Sequence, residues 1–410
     1  MTISLLTGDV RDVLPTLADA SVHCVVTSPP YYALRSYLDA SHPDKHRELG
    51  SEPTPDAYIA AMVAVFREVK RVLRPDGTVW CNLGDSYAGG AGGRGDSGNA
   101  IAAADGWHTT STKHDGVRLP RAGGKPKDLL LMPARLALAL QADGWWVRSD
   151  IIWAKPNPMP ESCTDRPTSA HEHVFLLTKR ARYYYDSDAV REPHAEPERG
   201  KGEAERNNWS VGCSRGSKPM VREYNPAGRS CRNVWTIATH AYPAAHFATY
   251  PPELAERCIR AGTSERGCCA ACGAPWVRQL EMTEAYRALL ASGKAWRDNS
   301  GKPDAFTNRQ PSDHPANVPQ KHNTTGWSPS CTHDADVVPC TVLDPFSGAG
   351  TTLLVADRLQ RHAIGIDLNA SYADLARRRI EADAPLFTSW APAEDPADQR
   401  MADLFAEAAE

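Results

Sequence analysis

The sequence predicts an α/β protein built on a mainly parallel sheet, and three observations point there. Short valine-rich runs alternate with amphipathic helical patterns, the alternation that parallel βαβ units produce. The apolar run Ser21–Thr27 stops against "SPPYY", at the place where open α/β sheets bind ligands. A glycine turn, "DPFSGAGTT" at Asp344–Thr352, stands between a strand pattern and a helix pattern.

Composition sets the outer limits. With 41% hydrophobic and 23% charged residues among 410, the chain reads as a globular enzyme of one large domain with insertions, or of two to three smaller ones. A net charge of −4 leaves a nucleic-acid partner open, because such a partner needs only a local basic surface. No apolar run approaches a membrane span and Met1–Val10 has no signal-peptide pattern, so a cytoplasmic setting is expected. In that setting the 11 cysteines are not a disulfide framework.

The elements follow in order. "ISLLTGD" and "HCVVTS" read as strands. "TPDAYIAAMVAVFREVKRVL" reads as a helix, with Tyr58, Met62, Val65, Phe66 and Val69 on one face. "RPDG" then turns into the strand "TVWCNLGD". Ala88–Lys125 is glycine-rich and reads as a loop or lid, followed by a helix through "LMPARLALALQADG" and strands at "WVRSDIIWAK" and "HVFLLTK". Asp186–Arg232 is polar. From Arg206 onward it carries Arg206, Arg215, Lys218, Arg222, Arg229 and Arg232 against one acid, Glu223. It fits either a phosphate-contacting segment or a solvated surface loop.

The glycine turn narrows the cofactor. Gly348 and Gly350 permit close backbone approach and positive φ. A triphosphate loop needs Gly-Lys-Ser/Thr, and a dinucleotide turn needs a third glycine; neither is present. The next strand pattern, "HAIGID", ends in Asp367, placed to accept hydrogen bonds from ribose hydroxyls. Together these favour a nucleoside cofactor without a pyrophosphate, a description that S-adenosylmethionine fits.

"GCCAACGAPW" holds Cys269-x-x-Cys272-Gly, and "SPSCTHD" offers Cys331 and His333. The first pair has metal-knuckle spacing. A zinc-ribbon-like insertion over 265–340 is expected, with Cys269, Cys272, Cys331 and His333 as ligands and Cys268 and Cys340 as alternates. A vestigial site is the competing reading. His171 and His173 flank Glu172 in a strand pattern and read as structural or pocket-lining.

"TSPPYY" at Thr27–Tyr32 and "DPFSGAGTT" resemble the catalytic and cofactor motifs of the amino-DNA methyltransferases. Their order resembles that family's circularly permuted beta group. The resemblance implies a Rossmann-like, S-adenosylmethionine-dependent methyltransferase fold with a seven-stranded, mostly parallel sheet. It implies that the strand before Asp344 neighbours the strand before Thr27. Residues 1–185 would form the catalytic half, 186–232 a target-recognition segment, 233–264 and 341–385 the cofactor half, and 386–410 a tail.

The same resemblance assigns roles. Ser28, Pro29, Pro30 and Tyr31 would be catalytic, with Ser28 Oγ and the Pro29 carbonyl accepting from the target amine. Pro30 would stiffen the loop, Tyr31 would stack on a flipped base, and Tyr32 would line the same pocket. Asp9, Thr27, Phe247, Asp344, Pro345, Phe346, Ser347, Gly348, Gly350, Thr351, Thr352 and Asp367 would bind the cofactor. Serine in the Ser28 position favours N4 of cytosine, with N6 of adenine the alternative. A catalytically silent DNA-binding protein of the same fold is the reading of another class. The implied partners are double-stranded DNA and a cognate restriction endonuclease.

Overall fold

A computed structural model describes residues 1–34, 36–38, 41–88, 125, 127–193, 228–240, 249–284, 287–288, 322–383 and 389–390. The chain divides into two compact units. The first joins Met1–Asp186, Arg232–Pro275 and Cys331–Glu410; the second joins Ser187–Cys231 and Trp276–Ser330.

The first unit is a sheet with helices against it. Its strands are β1 (Ile3–Thr7), β2 (Val22–Thr27), β3 (Leu73–Leu83), β4 (Trp146–Ala154), β5 (His171–Thr178), β6 (Val234–Thr236), β11 (Thr341–Asp344) and β12 (His362–Asp367). Their spatial order is β1-β12-β11-β2-β3-β5-β4-β6. All neighbours run parallel except β3–β5 and β5–β4. Every residue of β2 is buried, the signature of an interior parallel strand. Val342 and Leu343 of β11 lie opposite Cys24 and Val25 of β2, so the two strands expected to be neighbours are neighbours.

The helices are α1 (Val10–Val13), α2 (Pro55–Val72), α3 (Met132–Ala142), α4 (Pro252–Gly262), α5 (Thr351–Arg358) and α6 (Ala370–Asp383). Helix α2 forms where its sequence says it should. Thr54 caps it by accepting from Ala57 N at 3.1 Å, Pro55 opens it, and Tyr58, Met62, Val65, Phe66 and Val69 are buried. Trp145 meets Phe66 edge-on at 6.3 Å, closing the core between α2 and the turn after α3.

Three expectations change. The sheet has eight strands, not seven, because "VWT" adds β6 beside β4. The "RPDG" turn lies inside β3. Pairing jumps from Leu73 opposite Val22 to Thr78 opposite Cys24, so Arg74–Gly77 form a bulge that keeps the strand continuous. The insertion is also shorter than 265–340. Residues up to Pro275 and from Cys331 belong to the first unit, where β7 (Cys268–Cys269) pairs antiparallel with β10 (Val337–Val338).

In the second unit, β8 (Trp276–Met282) and β9 (His322–Pro329) form an antiparallel pair, with Arg278 stacked over Trp327 at 4.4 Å. Elsewhere in that unit Glu192 and Arg229 exchange backbone hydrogen bonds and form an ion pair at 3.1 Å. Among the described residues, no helix is long and apolar enough to cross a membrane. Most of the glycine-rich loop, the basic residues Arg206, Arg215, Lys218 and Arg222, Phe247, and most of the tail lie outside the described residues.

Candidate active site

The carboxyl ends of β2 and β11 are locked together by one buried carboxylate. Asp344, the last residue of β11, accepts at Oδ1 from Thr27 Oγ1 (2.7 Å) and Phe346 N (3.1 Å). At Oδ2 it accepts from Thr352 Oγ1 (2.8 Å) and Tyr250 OH (3.0 Å). The Val26 carbonyl lies 3.0 Å from the same Thr352 Oγ1 and shares its one proton with Asp344. Burial holds the Asp344 carboxyl above its ordinary value, against four donated hydrogen bonds that lower it. Thus Thr27, Asp344, Phe346 and Thr352 converge, together with Tyr250, which sequence reasoning missed. Its signal was an aromatic directly before the Pro251–Pro252 start of α4.

The glycine turn separates two tasks. Gly350 has φ +73°, and a β-carbon there would meet Ala376 Cβ at 2.7 Å; its smallness lets α6 approach α5. Gly348 has φ +48°, and a β-carbon there would meet nothing within 4 Å, so the turn faces open space. Its N–H donates to Asp367 Oδ2 at 2.9 Å, and Asn369 N donates to Oδ1 at 2.8 Å. Burial raises the Asp367 carboxyl to about 6 against these two bonds. Ser347 Oγ is buried without a partner among the described residues. Pro345 is buried, Phe346 packs on the core, and Thr351 Oγ1 accepts from Arg379 at 2.9 Å.

Open space over Gly348, an orphaned hydroxyl at Ser347 and a carboxylate on the next strand fit a nucleoside ligand. Asp9, after β1, caps α1 and accepts from Arg11 Nε at 2.8 Å and Arg47 Nε at 3.0 Å. Burial pushes its carboxyl up, but the two arginines prevail and hold it below its ordinary value.

The loop after β2 is held from several sides. The Pro30 carbonyl accepts from Tyr58 OH at 2.8 Å, and Pro29 is buried. Ser28 Oγ donates to Tyr31 OH at 3.4 Å, and Tyr31 OH donates to Glu172 Oε2 at 2.6 Å. Asn82 Nδ2 donates to Tyr31 OH (3.0 Å) and Glu172 Oε2 (2.8 Å) and reaches Ser28 Oγ at 3.4 Å. Lys155 pairs with Glu172 Oε1. Burial raises the Tyr31 hydroxyl far above its ordinary value, and the Glu172 charge adds to this. Gly84 accommodates the Tyr31 ring, since a β-carbon there would lie 2.6 Å from it.

Tyr32 is a core residue instead of a pocket wall. It is buried and tilted against Tyr58 at 5.6 Å. Asn82, Lys155 and Glu172 were not singled out from the sequence. Each is a polar residue at the end of an apolar strand, a signal that alternation alone does not rank. His173 bonds Asp150 at 2.9 Å and stacks on Phe175, as a structural histidine does.

A doubly wound sheet with a glycine turn and a rigid aromatic loop at one edge defines an enzyme that binds a nucleoside cofactor beside a flat substrate. The DNA methylase family of N6/N4 methyltransferases matches residues 22–270 and 294–378, and the chain belongs to that family. The type II methyltransferase M.SmaI of Serratia marcescens is 33% identical over 92% of this chain and 90% of its own length. The type II methyltransferase M.XycI of Xanthomonas campestris pv. cyanopsidis is 34% identical over 92% and 87%. Among solved structures, the cytosine-N4-specific PvuII DNA methyltransferase is 15% identical over 100% of this chain and 93% of its own, with a TM-score of 0.49. A Thermus thermophilus protein solved with S-adenosyl-L-methionine is 21% identical over 95% of this chain and 99% of its own, with a TM-score of 0.44. The chain is accordingly an S-adenosylmethionine-dependent amino-DNA methyltransferase whose substrate is DNA.

Proposed function

We propose that this methyltransferase modifies N4 of cytosine in a base flipped out of duplex DNA, within a specific recognition sequence. The observation that carries the methyl-transfer reading is the hydrogen bond from Thr27 to Asp344, and serine at position 28 is what favours cytosine. The bond joins the residue before Ser28 to the first residue of the glycine turn, so the substrate loop and the cofactor turn begin side by side.

S-adenosylmethionine supplies a methyl carbon on a positively charged sulfur. Asp367 takes the ribose hydroxyls, each of its oxygens already oriented by one backbone N–H. Gly348 and Ser347 face the cofactor, while Asp344, Thr27, Phe346 and Thr352 fix the turn that carries them. Pro345 and Thr351 complete that turn. Asp9 would border the adenine, and Phe247, outside the described residues, is assigned to the methionine end by the family resemblance alone.

The target amine is a poor nucleophile because its lone pair is conjugated with the ring. Ser28 Oγ, with its own proton directed toward Tyr31 OH, turns its lone pairs to the amine N–H. The Pro29 carbonyl takes the second N–H. Both acceptors draw the nitrogen toward tetrahedral geometry and free the lone pair for attack. Glu172 fixes the Tyr31 hydroxyl, so the ring is presented to the base in one orientation. As the nitrogen–carbon bond forms, the carbon–sulfur bond would break with its electron pair kept by the sulfur, which leaves as a neutral thioether, and the surplus proton of the methylated amine passes to solvent. The basic composition of 186–232 supports assigning that segment to phosphate contact and sequence reading, and the partner activity is a cognate restriction endonuclease.

Methylating mixed-sequence duplex DNA and digesting it to nucleosides tests the assignment. Mass spectrometry is expected to find N4-methyldeoxycytidine. N6-methyldeoxyadenosine would overturn the choice of base, and a C5-methylated product would overturn the amine chemistry itself.

A further inference from the structure

Four metal-ligating side chains converge away from the cofactor edge. One ligand atom each from Cys269, Cys272, Cys331 and His333 lies within 4.8 Å of all the others, and all four residues belong to the first unit. A tetrahedral zinc with sulfur ligands at about 2.3 Å requires edges of about 3.8 Å, so a small contraction completes the site. The local backbone already makes the tight knuckle that brings the first two ligands together. Gly273 N donates to the Cys269 carbonyl at 2.7 Å and Cys269 N to the Ala274 carbonyl at 2.9 Å. Gly273, at φ +66°, makes the tight turn these bonds need.

A neighbouring group, His23, Cys268 and Cys340, also gathers within 4.8 Å, but its histidine is committed. Thr341 N donates to His23 Nδ1 at 3.0 Å, which leaves Nε2 to donate to the Gly273 carbonyl at 2.8 Å. Cys268 Sγ is directed at the carbonyls of Val338 and Pro339, at 3.5 and 3.7 Å. That group is a hydrogen-bonded bridge to the knuckle instead of a second site.

We propose that Cys269, Cys272, Cys331 and His333 hold one structural zinc ion that clamps the knuckle to the amino-terminal ends of β2 and β3. Three sulfurs and one nitrogen close the coordination sphere and leave no open position for chemistry. The clamp is made by His23 near the start of β2 and by Arg74 near the start of β3. Arg74 Nη1 donates to the Cys272 carbonyl at 2.6 Å. A β-carbon on Gly273 would lie 2.5 Å from Arg74 Nη1, so the knuckle backbone seats directly on that side chain. The zinc thus braces the strand whose opposite end carries Ser28, and this holds whichever base is methylated.

The test measures metal in the full chain purified without chelators. Elemental analysis is expected to give about one zinc per chain. Cobalt exchange is expected to give the visible bands and thiolate charge-transfer absorption of a tetrahedral sulfur-rich site. Cys272→Ser, Cys331→Ser and the exposed His333→Ala are each expected to lose zinc or weaken its binding at least about tenfold. Cys268→Ser and Cys340→Ser are expected to keep it. Should the cysteine variants fail to fold, His333→Ala and the cobalt spectrum of the unaltered chain decide. A folded chain without zinc, native thiols found paired as disulfides, or zinc lost from the Cys268 and Cys340 variants but kept by the others would overturn the assignment.

Discussion

Asp367 makes a signed pH prediction. Its carboxyl sits near 6 in the folded protein, above the ordinary value of 3.8, because burial opposes its charge. The folded state therefore holds this proton more tightly than the unfolded chain. Its contribution to stability is complete below about pH 4 and is lost as pH rises through about 6. Cofactor binding has the opposite sign, since ribose hydroxyls donate to the ionised form. Affinity for S-adenosylmethionine, measured by calorimetry, should rise as pH passes through about 6 and level off above, and Asp367→Asn should flatten the profile. A flat profile in the unaltered protein would remove Asp367 from the ribose. Glu172 makes a second prediction at this scale. Glu172→Gln weakens the acceptor for Tyr31, Asn82 and Lys155 together. The turnover rate should fall about tenfold or more with cofactor affinity unchanged, which separates the substrate side from the donor side.

Between elements, the two glycines of the turn should fail in different ways. Gly350→Ala drives a methyl into Ala376 and strains a positive φ, so it should cost about 2 kcal/mol in denaturant unfolding by pushing α6 from α5. Gly348→Ala meets nothing and should cost only about 1 kcal/mol for its backbone conformation. The added methyl nevertheless points into the space assigned to the cofactor, so the affinity loss should be the larger effect. Equal behaviour of the two variants would contradict this division. Most elements were legible in the sequence because period and burial agreed: β2 is apolar throughout, and α2 carries its cap, its proline and its buried face. Strand β6 was not, because "VWT" is three residues whose strand character comes only from lying beside β4. The β3 bulge was read as a turn for a similar reason. Pro-Asp-Gly favours a turn locally, and the pairing on either side carries the strand through it.

For the whole molecule, the convergence of distant segments is what the sequence conveyed least directly. The order of "SPPYY" and "DPFSGAGTT" indicated a shared edge, and the β2–β11 pairing supplies it. The polar scaffold behind that edge draws on β3, the end of β4 and β5, with Tyr250 from before α4; no local pattern ranks such residues above other polar positions. The grouping of Cys269, Cys272, Cys331 and His333 was suggested by the sequence, but the attachment of their knuckle to β2 through His23 was not, since it depends on a strand far away in sequence.

The central claim is that an amine held at Ser28 faces a donor held at Gly348 and Asp367 across one cleft. Single-turnover methyl transfer to duplex DNA by Ser28→Ala, at saturating S-adenosylmethionine, tests it most directly. The account predicts a rate lower by about a hundredfold, with cofactor and DNA binding intact, because one acceptor for the amine is lost in the transition state. An unchanged rate would contradict it.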